Sequence, residues 1–183
     1  LWNTTVFTTQ PEPLHASNSR ATPTPCAAGG RVFAYFGVGY GCVDMEGRLV
    51  WSGVDIDYGR MIEQGESSSP VAVDGAFIYV QSDELAARGK SDVGSQVTAL
   101  DQKTGRVRWS VKPNDMTRCY NAPLVWRDGG RTTLLVMTDG ACIALDAADG
   151  REVWRFDVDV QQMVPSLVRD DDTLFIAGGN IGR

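Results

Sequence analysis

Few side chains in this 183-residue chain have the type and spacing to make or break bonds. His15 is the only histidine, and no Ser/Asp order accompanies it, so a Ser-His-Asp hydrolase is unsupported. Cys26, Cys42, Cys119 and Cys142 contain no Cys-x-x-Cys pair, which argues against structural zinc. They read as small buried hydrophobes, with disulfides permitted in an oxidising compartment. Asp55/Asp57 and Asp157/Asp159 each put two carboxylates on one side of an extended strand. Calcium needs about six oxygens from a shaped loop, and no such loop follows, so both pairs read as solvated edges. Asp170-Asp171-Asp172 reads as a turn, and Asn3-Thr4-Thr5 fits a glycosylation sequon. The remaining candidates are suited to binding: His15, Ser17, Asn18, Ser19, Arg60, Glu63, Gln64, Arg118, Tyr120 and Asn121.

Composition narrows the partners. The chain is 43% hydrophobic and 22% charged with a net charge of -6, an ordinary globular balance. Phosphate recognition needs clustered Lys and Arg, so nucleic acid is disfavoured, as is a membrane surface held by a basic patch. No apolar run approaches the roughly 18 residues of a spanning helix, so no direct membrane insertion is expected.

The elements that must position the candidates show as a repeat. Three times a small residue leads to an aspartate, a tight turn, a glycine and a tryptophan. The copies are Cys42-Val43-Asp44-Met45-Glu46-Gly47-Arg48-Leu49-Val50-Trp51, Ala99 to Trp109 through Asp101 and Gly105, and Ala144 to Trp154 through Asp146 and Gly150. Before each copy comes a proline, an apolar run, a turn and a second apolar run. Pro25, Pro70, Pro123 and Pro165 recur every 42 to 53 residues. Asp74-Gly75 and Gly129-Gly130 are hairpin signals, because such steps tolerate positive φ. Runs such as 76–80 and 133–137 are rich in β-branched, aromatic and bulky apolar residues. No segment sustains a helical period beyond about ten residues. Each unit therefore reads as four antiparallel strands, the first starting at the proline, where a missing donor is tolerated. The aspartate can accept turn N–H groups, the glycine supplies the left-handed residue, and the tryptophan can wedge between sheets. A period near 45 residues of short strands predicts an all-β propeller.

The segment Ala99 to Trp109 matches Ala-x-Asp-x-x-Thr-Gly-x-x-x-Trp at each defined position. It resembles the tryptophan-docking motif of the PQQ-like (quinoprotein-type) propeller repeat. Ala144 to Trp154 carries Asp149 in place of threonine, and the first copy has Cys42 for alanine and a turn one residue shorter. The resemblance covers essentially the whole chain. It implies a β-propeller of four-stranded antiparallel blades, similar to WD40-like folds. One domain over 1–183 is expected, with blades near 23–52, 68–111, 121–156 and a partial one at 163–183. Leu1-Trp2 reads as the end of a preceding fourth strand. Such rings usually have seven or eight blades, so a longer protein is expected. A four-bladed ring, or two half-rings pairing, is the rival. The family includes an outer-membrane assembly lipoprotein and many extracytoplasmic bacterial proteins. The resemblance thus implies a non-catalytic scaffold for a protein or small polar ligand, periplasmic, secreted or in the cell envelope.

Two alternatives come with the same resemblance. One is a quinoprotein dehydrogenase holding PQQ and calcium, with its site in further blades expected beyond these. Its family pattern includes adjacent cysteines over the quinone, which this chain lacks, and no calcium ligand set is assignable, so no cofactor is expected from these residues. The other is a sensor domain of a kinase-related protein.

Strand parity assigns the surfaces. The turns joining first to second and third to fourth strands share one face and are all short. The second-to-third loops and the inter-blade connections share the other and contain the long segments. Long loops on a rigid scaffold are the usual binding surface. The residues before each proline should ring the channel mouth there, which is where the ten candidates fall. Trp51, Trp109, Trp154, Asp44, Asp101, Asp146, Gly47, Gly105 and Gly150 are expected to be structural.

Overall fold

The computed structural model describes residues 1–9, 23–36, 39–53, 71–72, 75–82, 96–114, 121–138, 140–159 and 163–178. These form only strands and turns. The first sheet comprises β1 (Cys26–Ala28), β2 (Arg31–Tyr35), β3 (Tyr40–Asp44) and β4 (Leu49–Gly53). The second comprises β5 (Val71–Ala72), β6 (Phe77–Ser82), β7 (Gln96–Asp101) and β8 (Val107–Val111). The third comprises β9 (Leu124–Asp128), β10 (Arg131–Thr138), β11 (Ala141–Asp146) and β12 (Glu152–Asp157). A final hairpin pairs β13 (Val168–Asp170) with β14 (Thr173–Phe175). In every sheet consecutive strands are antiparallel neighbours. The chain therefore makes three propeller blades and the opening hairpin of a fourth. β1 lies against β5, so the first strands of these two sheets converge.

The third strand of each sheet is buried along nearly its whole length, and in β7 the burial takes in Gln96 and Thr98 beside the apolar residues. β7 and β11 are buried at every position before their terminal aspartate. β10 shows how one strand serves two interfaces. Leu134 and Val136 pack with Tyr79, Val97 and Ala99 of the second sheet. Leu135 and Met137 point the other way, toward Met163, Leu167, Leu174 and Ile176. Between the first two sheets, Phe33, Tyr35, Tyr40 and Cys42 meet Ile78, Val80 and Leu100. The outer strands β4 and β8 alternate between exposed and half-buried residues.

Two expectations shift. The strand expected from Pro165 begins at Val168, because Pro165 and Ser166 are taken up by the entry to the third sheet, where the Ala122 amide donates to Ser166 Oγ at 3.4 Å. Cys42 and Cys142 are buried free thiols as expected, but Cys26, on the short inner strand, is only half-buried. Cys119 lies outside the described residues. Burial pushes the thiols of Cys42 and Cys142 up to about 11, so both are protonated and unreactive at neutral pH. The acidic run at 170–172 is indeed a turn, with Asp171 at φ 45° between paired Asp170 and Thr173.

Stacking makes the third strands the centre of stability. Ile143 is fully buried between sheets and Val168 is exposed. Ile143→Ala should cost about 2–5 kcal/mol in denaturant unfolding, and Val168→Ala about 0.5 kcal/mol or less. Equal losses would show that the stacked faces are not what holds the sheets.

Candidate functional site

The repeated turns are the most completely described polar sites. Each aspartate carboxylate closes its own turn. Asp44 Oδ1 accepts from the amides of Glu46 (3.0 Å) and Arg48 (2.8 Å), and its Oδ2 pairs with Arg48 Nε at 2.7 Å. Asp101 Oδ1 accepts from the amides of Lys103 (3.0 Å) and Thr104 (2.9 Å) and from Thr104 Oγ1 (2.9 Å). Asp146 Oδ1 accepts from the Ala148 amide at 3.0 Å, and its Oδ2 takes Arg131 Nη2 at 3.0 Å. These bonds favour the ionised form, so all three carboxyls sit below the usual aspartate range. The leading causes are the Arg48 amide for Asp44, the Thr104 hydroxyl for Asp101 and the Ala148 amide for Asp146.

The residue after each aspartate turns its carbonyl toward the preceding structural unit. Trp51 Nε1 donates to Gln102 O at 3.1 Å, and Arg31 Nη1 donates to the same oxygen at 3.1 Å. Trp109 Nε1 donates to Ala147 O at 3.1 Å, with the Tyr79 hydroxyl as second donor at 3.0 Å. Trp2 Nε1 donates to Met45 O at 3.0 Å, and Thr4 Oγ1 donates to Gly47 O. The turn glycine meets the indole in all three cases. Gly105 has φ 70° and Gly150 φ 76°, and a Cβ on either would lie 2.7 Å from the facing indole of Trp51 or Trp109. A Cβ on Gly47 would overlap Trp2. The one-residue deletion in the first turn leaves this geometry intact: the glycine amide still donates to the aspartate carbonyl, at 3.0 Å against 2.8 Å in the other two. Trp154 differs. It is 42% exposed and sits beside a cavity of about 310 Å³.

First-to-second and third-to-fourth turns do share a face. Gln102 N donates to Ala76 O at 2.8 Å, and Ala147 N to Thr132 O at 3.1 Å. On the opposite face two second-to-third connections are tight rather than long. Phe36 N closes onto Gly39 O at 2.7 Å, and β10 passes to β11 through 139–140. The long connections are therefore the inter-sheet segments and the link 83–95. His15, Ser17, Asn18, Ser19, Arg60, Glu63, Gln64, Arg118 and Tyr120 lie outside the described residues, as do Asp55 and Asp57. Asn121 is described and is 1% exposed. Its Nδ2 donates to Met163 O at 3.1 Å, tying the entry of the third sheet to that of the last hairpin. Its side chain faces protein, which spacing from a proline could not reveal. Asp157 and Asp159 are exposed. Among the described residues no three His, Cys, Asp or Glu side chains come together to hold a metal, so no step through a calcium-held quinone follows from them. The second donors Arg31 and Tyr79 were missed in the sequence, because each lies outside the repeated phrase.

Trp109→Ala should cost about 3 kcal/mol or more, since the indole fills an interface and leaves Ala147 O with one donor fewer. Trp154→Ala should cost well under about 1 kcal/mol. Stability should also depend on pH in one direction. Unfolded aspartates titrate near about 3.9, and the folded values are lower. The carboxylate contribution is therefore complete above that value and lost as pH falls through the folded ones. Urea midpoints measured from pH 6 to 2 should fall on the acid side, less steeply for Asp101→Asn. A midpoint that rises on acidification would contradict this.

The comparisons with known proteins agree with this architecture. The model of the family described as outer membrane protein assembly factor BamB matches residues 1–111 and again 41–181. Among solved structures, BamB from Moraxella catarrhalis is similar at 18% identity and a TM-score of 0.55, covering 85% of this chain and 41% of that one. The quinohemoprotein alcohol dehydrogenase from Comamonas testosteroni is similar at 18% identity and 0.51, covering 79% and 22%. The quinohemoprotein alcohol dehydrogenase ADHIIG from Pseudomonas putida HK5 is similar at 20% identity and 0.50, covering 80% and 21%. This chain thus spans less than half the length of each, and at these identities the likeness is one of fold, a β-propeller. No curated protein matches the chain. The family match runs over nearly every residue, including all three tryptophan phrases, and the chain belongs to the PQQ-like repeat family described as outer membrane protein assembly factor BamB.

Proposed function

We propose that this chain is a non-catalytic propeller scaffold that binds protein partners in outer membrane protein assembly, working in the cell envelope. The observation that carries the reading is how the repeated polar groups are spent. The carboxylates of Asp44, Asp101 and Asp146 close their own turns, and the carbonyls of Met45, Gln102 and Ala147 receive indoles. Residues that recur in a catalytic-looking pattern are thus consumed by the frame. A partner is left the opposite face, the side to which strand parity assigns the long inter-sheet connections. His15, Arg60, Glu63 and Arg118 belong to those connections and are the proposed contacts. Their mixed charge suits a polar protein surface, where rim charges set specificity and on-rate. Trp2, Trp51 and Trp109 with the turn glycines beneath them act as the clamps that keep this face rigid.

Site-specific photo-crosslinking tests the proposal. A photoreactive residue at position 60 or 118, in cells of the source bacterium, should give adducts with outer-membrane assembly proteins. The same residue at Lys103 or Asp149, on the turn face, should give none. Adducts from the turn face alone, or from neither face, would overturn the reading.

A further inference from the structure

The outer strand of the second sheet carries a charge pattern that its counterparts lack. Between Asp101 and Asp115 the chain places Lys103, Arg106, Arg108 and Lys112 and no acidic residue, although its net charge is -6. In the first sheet the corresponding turn and strand hold Arg48 and Glu46, which pair at 3.1 Å. In the third they hold Arg151 and Arg155 among Asp149, Glu152 and Asp157, and Arg155 pairs with Glu152 at 3.4 Å. Arg106, Arg108 and Lys112 are exposed, and none forms an ion pair with a described residue. Arg108 reaches Asp101 only through its field, and that carboxylate is already filled by its own turn.

The surface along this row has the form of a track. β8 is the last strand of its sheet, and among the described residues no strand lies beside its outer edge. Val107, between two of the cations, is 48% exposed. Past the end of β8 a cleft of about 180 Å³ opens against the third sheet, lined by Lys112, Pro113 and Asn114 on one side and by Leu145 and Glu152 on the other. Glu152 is engaged by Arg155, so Lys112 is the uncompensated charge of this cleft. From Arg106 to Lys112 an extended strand covers roughly 20 Å. Cations in a line, an apolar residue between them and a cleft the size of a side chain suit an extended polypeptide. A single-stranded nucleic acid would want exposed aromatic faces for stacking, and Trp109 is turned into the third sheet. An anionic bilayer would want a broad basic surface, and this row is narrow on an acidic chain.

We propose that the outer rim of the second sheet, from Arg106 to the cleft at Lys112, docks an acidic extended segment of a partner protein. Its carboxylates meet Arg106, Arg108 and Lys112, an apolar side chain covers Val107, and one side chain enters the cleft. The bulge at Arg108 interrupts the edge, so side chains hold the segment more than a continuous ladder does. This contact does not use Arg60 or Arg118, so it stands or falls separately from the scaffold reading above.

The probe is a fluorescein-labelled peptide of alternating Glu and Val, about ten residues long so that it spans the row. Peptide and chain are both acidic overall, so attraction requires the local row. At low ionic strength the peptide should bind the 183-residue chain saturably by fluorescence anisotropy, and added salt should weaken it. Arg106→Gln, Arg108→Gln and Lys112→Gln together should weaken binding about tenfold or more, whereas Arg106→Lys with Arg108→Lys should retain it. Both variants should melt with the parent, because the exchanged side chains are exposed and unpaired. No saturable binding at low salt, or binding unchanged by the three Gln substitutions, overturns the proposal and leaves the cations as guards against edge pairing. Equal or tighter binding of an oligothymidylate or of phosphatidylglycerol vesicles overturns it in favour of a general polyanion surface. A concentration-dependent dimer lost in the Gln variant also overturns it, since the occupant would then be a second copy.

Discussion

An indole lying on a glycine, with its N–H aimed at the carbonyl two or three residues before that glycine, is the contact on which the sheet stack depends. It joins one unit to the next at Trp2, Trp51 and Trp109. Its two halves demand different things from one turn. The ring needs a Cα without a side chain, and the hydrogen bond needs a carbonyl pointing out of the turn. A glycine at positive φ meets the first demand and allows the second, because the left-handed step swings the preceding peptides outward. Any side chain there would be strained twice, by its backbone and by the ring above it.

The aspartate makes this turn dependable. By capping two or more donors at its base it fixes the peptide planes before the neighbouring sheet arrives. Preorganisation matters because the indole bond alone is worth only about 1 kcal/mol net. The carbonyl also uses its second lone pair at two of the three sites, from Arg31 in one and Tyr79 in the other. These donors are chemically unrelated, yet they serve the same oxygen. Burial explains why such a donor is wanted: a half-satisfied acceptor between sheets would be costly.

How much of this was legible follows from where each signal lies. Trp51, Asp101 and Gly150 announce themselves by recurrence, and recurrence needs no three-dimensional knowledge. Trp2 could be matched to the other tryptophans by residue type, and it does seat on the Met45–Gly47 turn, but residues 1–9 form no strand there, contrary to the expectation of a preceding fourth strand. Arg31 and Tyr79 could not be found this way, since the residue serving each carbonyl changes from sheet to sheet. Asn121 illustrates a different failure. Its place before a proline marks it as a loop residue, but only the packing of the entry segments shows that Met163 turns its carbonyl onto the amide. The loop face itself was inferred from strand parity, which fixes the side of the sheet and not the length of each loop, and so the tight links at 36–39 and 139–140 were not foreseen.

Parity also leaves one part of the phrase unexplained: the small residue that opens it. The registers supply the reason. In all three sheets the ladder between third and fourth strands slips at the same place, after Cys42, Ala99 and Ala144. Val50, Arg108 and Val153 are the extra residues of these bulges. A bulge bends the outer strand and raises its twist, which turns the adjacent tryptophan toward the neighbouring sheet. The residue directly opposite that tryptophan is Cys42, Ala99 or Ala144, each fully buried. A longer side chain at that point would occupy the space between the sheets and lift the ring from the glycine beyond. The small residue, the bulge and the tryptophan are therefore one device, and the phrase is conserved within the chain as a unit because no part of it positions the ring alone.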